Sequence, residues 1–184
     1  MHDHVSPWDP ADGWDPATRW ALAARDGDPL APAAFVRATQ AEVWRFTAGL
    51  VGAAAADDLT QETYLRAFRA LPDFAARSTA RTWLLGIARR ACADHVRSVV
   101  RRRRFDATVT EPSPVPDPAT TVGAADLLRR LPDDRRAAFV LTQLLGLSYA
   151  EAAAVEGVPV GTIRSRVARA RSDLVASVRA THAG

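Results

Sequence analysis

The sequence predicts an all-α protein made of two small helical modules joined by an extended linker. Three observations carry this. Apolar residues recur mostly at intervals of three and four, and period-two alternation is nowhere sustained, so the chain reads as helical rather than stranded. Between Phe105 and Gly123 stand Pro112, Pro114, Pro116 and Pro118 with no positive charge. Alternating prolines remove backbone donors and oppose helix, so this stretch reads as a linker reaching at most roughly 60 Å. Beyond it, Gly157 and Pro159 divide two helical patterns as a helix-turn-helix requires.

In chain order, residues 1–16 read as a flexible tail carrying Pro7, Pro10, Pro16 and Gly13. Residues 17–104 form the first module, with helices over Ala17 to Arg25, Ala31 to Val51, Asp58 to Leu71 and Ala80 to about Arg104. Asp58 and Gln61 have capping-box spacing at the start of the third helix. On that helix Tyr64, Leu65, Phe68 and Leu71 share one face, and Asp58, Glu62, Arg66 and Arg69 another. The fourth helix buries Leu84, Ile87, Ala88 and Ala91 and turns Arg89, Arg90 and Arg97 elsewhere. Residues 105–123 are the acidic, proline-rich linker, with Asp106, Glu111 and Asp117. Residues 124–184 form the second module, with helices over Ala124 to Leu131, Asp133 to Leu145, Tyr149 to Glu156 and Val160 to about Arg179. Pro132 and Pro159 each suit a first helical turn.

The bulk numbers narrow the function. The chain has 184 residues, 48% hydrophobic and 24% charged, which is a globular composition. No lysine occurs, so all 24 cations are arginine, and with abundant alanine this suggests a GC-rich, actinobacterial coding sequence. The net charge is only +3, but the arginines are clustered. Residues 87–104 hold seven (Arg89, Arg90, Arg97 and Arg101 to Arg104) against Asp94, and residues 160–171 hold four with no acid. Two basic patches point to a polyanion touched at two places, or to two solvated helix faces. The single cysteine, Cys92, excludes an internal disulfide and any cysteine-pair zinc site. The four histidines form no ligand set, and no nucleophile–base set or phosphate loop is present, so no enzyme, cofactor or metal site is expected. No signal peptide or long apolar run appears, which implies a cytoplasmic protein without a membrane partner.

The second module is the more explicit. Ser148 and Glu151 match a capping box, and Gly157 suits the left-handed turn that ends a helix. With Ile163 at zero and about 100° per residue, Val167, Ala170 and Leu174 fall within about 40°, as one apolar seam. Arg164, Ser165, Ala168, Arg169 and Ser172 face away, and Arg166 and Arg171 flank the seam. Arginines among small residues fit a major groove, where they can reach guanine edges or phosphates. In the first module Trp83 either packs in the core or stacks on an unpaired base.

Together these stretches resemble the extracytoplasmic-function (ECF) sigma factors of bacterial RNA polymerase. DDLTQETYLRAFRALPDF (Asp57 to Phe74) and ARTWLLGIARRACADHVR (Ala80 to Arg97) look like their region two. LPDDRRAAFVLTQLLGLSYAEAAAVEGVPVGTIRSRVARAR (Leu131 to Arg171) looks like their region four. The resemblance implies that Asp58, Gln61 and Glu62 bind the clamp helices of the polymerase's largest subunit, with further contact to the second-largest subunit. It implies that the Arg77 to Trp83 segment and the following helix, with Arg89, Arg90 and Arg97, capture unpaired −10 bases of promoter DNA. It assigns Arg164, Ser165, Ala168 and Arg169 to the −35 element, and admits an anti-sigma factor as a partner. Family members often carry asparagine at the position of Arg90. A guanidinium lacks the amide's paired donor and acceptor, so the wider family's −10 preference does not carry over. The proline-rich tail has no counterpart in the family pattern. A stand-alone helix-turn-helix regulator is the alternative, and it leaves the Asp57 to Arg97 block unexplained.

Overall fold

The computed structural model describes residues 13–106 and 123–182, and helices account for nearly all of them. Helix α1 (Pro16–Arg25) starts where the Asp15 carboxylate accepts from the backbone N–H groups of Ala17 and Thr18. Asp15 and Pro16 therefore belong to the folded part rather than to a tail. Helix α2 spans Ala31–Val51 as expected and ends at Gly52, whose φ of +91° only glycine adopts without strain. Helix α3 covers Ala53–Ala70 and begins five residues before the expected start. The Ala53 to Ala56 run is strongly helix-forming and carries the helix straight out of the Gly52 turn. Asp58 and Gln61 therefore lie inside the helix and make no cap. Leu65 also departs from its expected apolar face and is 55% exposed beside Gln61.

A 3₁₀ turn (Leu71–Asp73) and a short loop lead to helix α4 (Ala80–Asp106), which extends past the expected linker boundary. The rest of the linker, residues 107–122, lies outside the described residues, as do residues 1–12 of the tail. Leu84, Ile87, Ala88 and Ala91 are buried as anticipated, together with Leu85 and Cys92. Burial raises the Cys92 thiol to about 12, so it packs as a neutral apolar group.

In the second half, helix α5 is Ala124–Arg130 and helix α6 is Asp133–Phe139. The single helix expected to reach Leu145 instead widens into a π turn over Val140–Leu144. There the Leu145 N–H reaches the Val140 carbonyl at 3.0 Å, five residues back. The extra residue buries Val140, Leu141 and Leu145 together and leaves Leu144 outside. Helix α7 (Tyr149–Glu156) has the full reciprocal Ser148–Glu151 capping box, whose hydrogen bonds hold the Glu151 carboxyl below its ordinary range. Gly157 is left-handed (φ 66°, ψ 36°). Helix α8 (Val160–His182) follows; its first turn bonds to the Pro159 carbonyl, so Pro159, like Pro132 before α6, stands just ahead of its helix.

The two helical groups are not held apart. They share one hydrophobic core, in which Phe46, Leu50 and Leu84 join Val140, Leu141 and Val155. α2 crosses the π turn at Gly49, where a Cβ would stand 3.1 Å from both Val140 methyls, so a larger residue would have to push Val140 aside by a few tenths of an ångström. α4 lies along α7 at Gly86, close to the Val155 carbonyl. Arginines complete the junction. Arg81 pairs with Glu42 of α2 and donates to the Leu145 carbonyl at 2.7 Å, and Arg136 donates to the Leu50 carbonyl at 2.6 Å.

Candidate nucleic-acid and polymerase interfaces

On α8 the apolar seam is as the helical wheel requires. Ile163, Val167 and Ala170 are essentially inaccessible, and Leu174 is half-buried where the helix leaves the body. Arg164, Ser165, Ala168 and Arg169 are all exposed on the opposite face. The flanking arginines are committed to protein partners. Arg166 pairs with Asp134 at 3.1 Å and with Glu156 at 3.4 Å, and Arg171 donates to the Gln143 side chain at 2.7 Å. Among the described residues no ion pair uses Arg164 or Arg169. The Ser165 hydroxyl donates to the Thr162 carbonyl, so its oxygen is left to accept. The result is a cationic face of two arginines separated by small side chains.

On α3 the exposed strip is Asp58, Gln61 and Leu65, and Glu62 lies at its margin, half-buried and bonded to Arg66 at 2.7 Å. Arg66 also reaches Asp94 of α4 at 2.6 Å, and this contact holds the Asp94 carboxyl below its usual range. Trp44 of α2 extends the strip, 38% exposed with its indole N–H on Asp57 at 2.8 Å. Sequence reading missed Trp44 and Leu65. Trp44 lies on a different helix from the acidic residues, and the wheel assigned Leu65 to the core.

The residues assigned to −10 capture divide into two places. Arg77 and Trp83 meet at a cavity of about 220 Å³ at the start of α4. The Trp83 ring is half-buried and packs on Phe74, with ring centroids 4.8 Å apart, so it is both a core residue and a pocket wall. The loop between them holds Ala76 at φ +49°, a left-handed conformation that costs a non-glycine residue about 1–2 kcal/mol. Arg25 fixes this loop from α1 by donating to the Phe74 carbonyl at 3.0 Å. Arg89 and Arg90 stand about two turns further along α4, facing α7 across a second cavity. Arg90 is exposed, whereas Arg89 is ion-paired at 2.7 Å to Glu156, whose side chain is only 4% accessible. Arg97 is exposed, pairs with Asp94, and continues the ridge toward the exposed run Arg101 to Arg104.

Comparison with known proteins accounts for both halves. The sigma-70 region 2 family matches residues 35–104, and the sigma-70 region 4 family matches residues 124–174. The ECF RNA polymerase sigma factor SigC of Mycobacterium tuberculosis is 53% identical over 162 residues, covering 85% of this chain and 88% of that protein. EcfG of Rhodopseudomonas palustris is 38% identical over 130 residues, covering 66% of this chain and 70% of the other. The mycobacterial likeness agrees with the actinobacterial codon signature. Among solved structures, CnrH in complex with the cytosolic domain of CnrY superposes with a TM-score of 0.69 at 26% identity, over 90% of this chain and 99% of that one. The sigma factor RpoE in complex with the anti-sigma factor NepR, from Bartonella quintana, gives 0.66 at 28% identity, over 78% and 94%. The chain belongs to the extracytoplasmic-function sigma factors of the sigma-70 family and directs transcription initiation.

Proposed function

We propose that residues 17–104 attach the protein to core RNA polymerase and trap the −10 strand, while residues 124–184 read the −35 duplex. The observation that carries this reading is the α8 face, where Arg164, Ser165, Ala168 and Arg169 are exposed opposite a buried seam. Arg164 and Arg169 are placed to meet guanine edges, and the small residues between them let the helix seat in the groove. On α3, Asp58 and Gln61 supply a polar strip for the clamp helices of the largest subunit, with Glu62 at its edge and Trp44 and Leu65 as apolar contacts. Further contact falls to the second-largest subunit. At the start of α4 the aromatic cavity takes an unpaired base against Trp83, while Arg77 binds phosphate. Arg89, Arg90 and Arg97 carry the strand along α4.

The family's role in transcription initiation assigns the protein to the cytoplasm. Separately, no helix among the described residues is long and apolar enough to cross a membrane. An anti-sigma factor is proposed as a further partner, because RpoE of Bartonella quintana is solved in complex with the anti-sigma factor NepR. Reconstitution with core polymerase tests the whole reading. Promoter-dependent run-off transcription is expected with the chain and not without it, and co-purification without promoter-dependent transcripts would count against it. Arg164→Ala or Arg169→Ala is expected to weaken holoenzyme binding to the preferred −35 sequence by about 1–3 kcal/mol per base contact. Equal losses on every sequence, together with a shallower salt dependence, would assign that arginine to phosphate instead.

A further inference from the structure

We propose that the cavity between α4 and α6 is a binding site for a diphosphate group, which bridges the two halves of the molecule. Its walls come from both sides of the junction. Arg89 and Arg97 stand on α4 and Asp133 and Arg136 on α6, while Leu50 and Val51 close it from the end of α2. Its volume is about 160 Å³, room for a small oxyanion and less than a single turn of helix occupies.

The row Arg89, Ala93, Arg97 makes the site. Residues four apart are neighbours on a helix face, so the two arginines stand one turn either side of Ala93. Ala93 lines the cavity and puts only a methyl where a longer side chain would close the gap. Neither guanidinium is exhausted by its ion pair. Arg89 gives Glu156 its Nε–H at 2.7 Å, and its two Nη groups have no hydrogen-bond partner among the described residues. Arg97 gives Asp94 one Nη and keeps its Nε and the other Nη. Arg136 closes the third side. Its hydrogen bonds to four carbonyls leave one N–H on Nη1.

Charge favours the same occupant. Burial lowers the Arg136 guanidinium below its ordinary range, and the Arg129 and Arg89 charges lower it further against the opposing effect of Asp133. Like charges therefore face one another across this junction. The carboxylate on the cavity wall, Asp133, is 57% exposed and 3.4 Å from Arg136, so it is free to turn to solvent. An oxyanion between the three guanidiniums turns their repulsion into attraction and accepts charge-assisted hydrogen bonds from each. A diphosphate offers oxygens to all three at once, and its occupancy stabilises the packed arrangement of the halves. The group can arrive free or on a nucleotide. A second cavity of about 250 Å³ continues past Val96 to Val99 and Val100, an apolar surface that suits a nucleoside.

Isothermal titration of the full-length chain with pyrophosphate, and separately with ADP, tests the site. It uses neither DNA nor polymerase, so its failure leaves the strand-binding reading untouched. Arg97→Gln is expected to weaken pyrophosphate binding about ten-fold, as one charged donor is lost. Arg102→Gln, on the exposed ridge outside the cavity, is expected to leave it unchanged. Equal losses at both would indicate diffuse attraction to the ridge and overturn the proposal, as would failure of the parent to bind. Ala93→Glu is expected to abolish binding and to raise the urea midpoint of the ligand-free chain, because its carboxylate stands between the two arginines as the anion does. Ala93→Gln should block binding and leave the midpoint near that of the parent. Retained binding in Ala93→Glu, or equal midpoints for the two variants, would overturn the site. Tighter binding of ADP than of pyrophosphate, with the difference lost in Val100→Asp, assigns the site to a nucleotide; equal affinities assign it to free diphosphate.

Discussion

Replacing Glu156 with alanine is expected to separate the two halves of the molecule. Glu156 is the last residue of α7, where a carboxylate opposes the helix dipole and costs its own helix about 0.3–1 kcal/mol. Its place there is explained by its partners, Arg89 of α4 at 2.7 Å and Arg166 of α8 at 3.4 Å. The carboxylate is almost inaccessible, and removing it leaves the Arg89 guanidinium facing α7 without a counter-charge. Losing one partner of a fully buried pair costs about 3–5 kcal/mol. Arg89 retains 22% side-chain exposure and can turn outward, so about 2–3 kcal/mol is the expected loss. Small-angle scattering should report a larger radius of gyration for Glu156→Ala, and Glu156→Gln should fall between it and the parent. Single-stranded DNA binding should tighten, because Arg89 is then released beside the exposed Arg90. A scattering profile identical to that of the parent would refute this account of the junction.

The second large effect is expected at Arg136. Its guanidinium donates to four carbonyls: Leu50 at 2.6 Å, Leu128 at 2.9 Å, and Arg129 and Leu131 at 2.8 Å each. Leu50 lies in the last turn of α2, and Leu128 and Arg129 in the last turn of α5, where helix carbonyls lack intrahelical donors. One side chain thus closes two helix ends and joins the halves, while its charge complements both dipoles. Burial pulls the guanidinium below its ordinary range, against the opposing effect of Asp133, yet it remains a cation at any physiological pH. Arg136→Met keeps much of the volume and takes the guanidinium from the Leu50, Arg129 and Leu131 carbonyls, while the Leu128 carbonyl keeps the Leu131 N–H at 3.1 Å. Each unsatisfied carbonyl costs about 1–3 kcal/mol when buried, and partial solvent access brings the expected total to about 3–5 kcal/mol. Arg136→Lys should recover only part of this, because an ammonium cannot span the same fork. Urea midpoints measure both; full recovery by lysine would count against the four-acceptor arrangement.

Much of the fold was legible because local signals and burial agree. The Ser148–Glu151 box, the Gly157 turn and the Ile163–Val167–Ala170 seam each follow from short-range rules, and each is present as read. The α8 face was legible for the same reason, since a wheel with a fully buried seam fixes its opposite side. Where the reading failed, a longer-range cause had acted. Asp58 and Gln61 mimic a cap, but the upstream alanines and the Gly52 turn start α3 earlier. The π turn at Val140–Leu144 depends on packing against Gly49 of α2, a contact between residues 91 positions apart and invisible to any window. Arg89 read only as a member of a basic patch, and Arg136 drew no reading of its own. Their partners, Glu156 and the Leu50 carbonyl, come from the other half of the chain. A linker rich in proline likewise says that two modules can separate, and nothing about whether they do.

The packing of α7 on α4 can be restated as an occupancy. A partner that must grip both halves while they are apart binds only the open fraction of molecules. If about 1% is open, its apparent affinity falls about a hundred-fold, equivalent to about 2.7 kcal/mol. Arg81, Arg89 and Arg136 hold their charge across physiological pH, so acidity does not release these junction contacts from the cationic side. The lever is mass action. On the proposed attachment to core polymerase, excess polymerase is expected to draw molecules open and scarce polymerase to leave them shut. The protein would then be a reservoir whose discharge follows the amount of free polymerase.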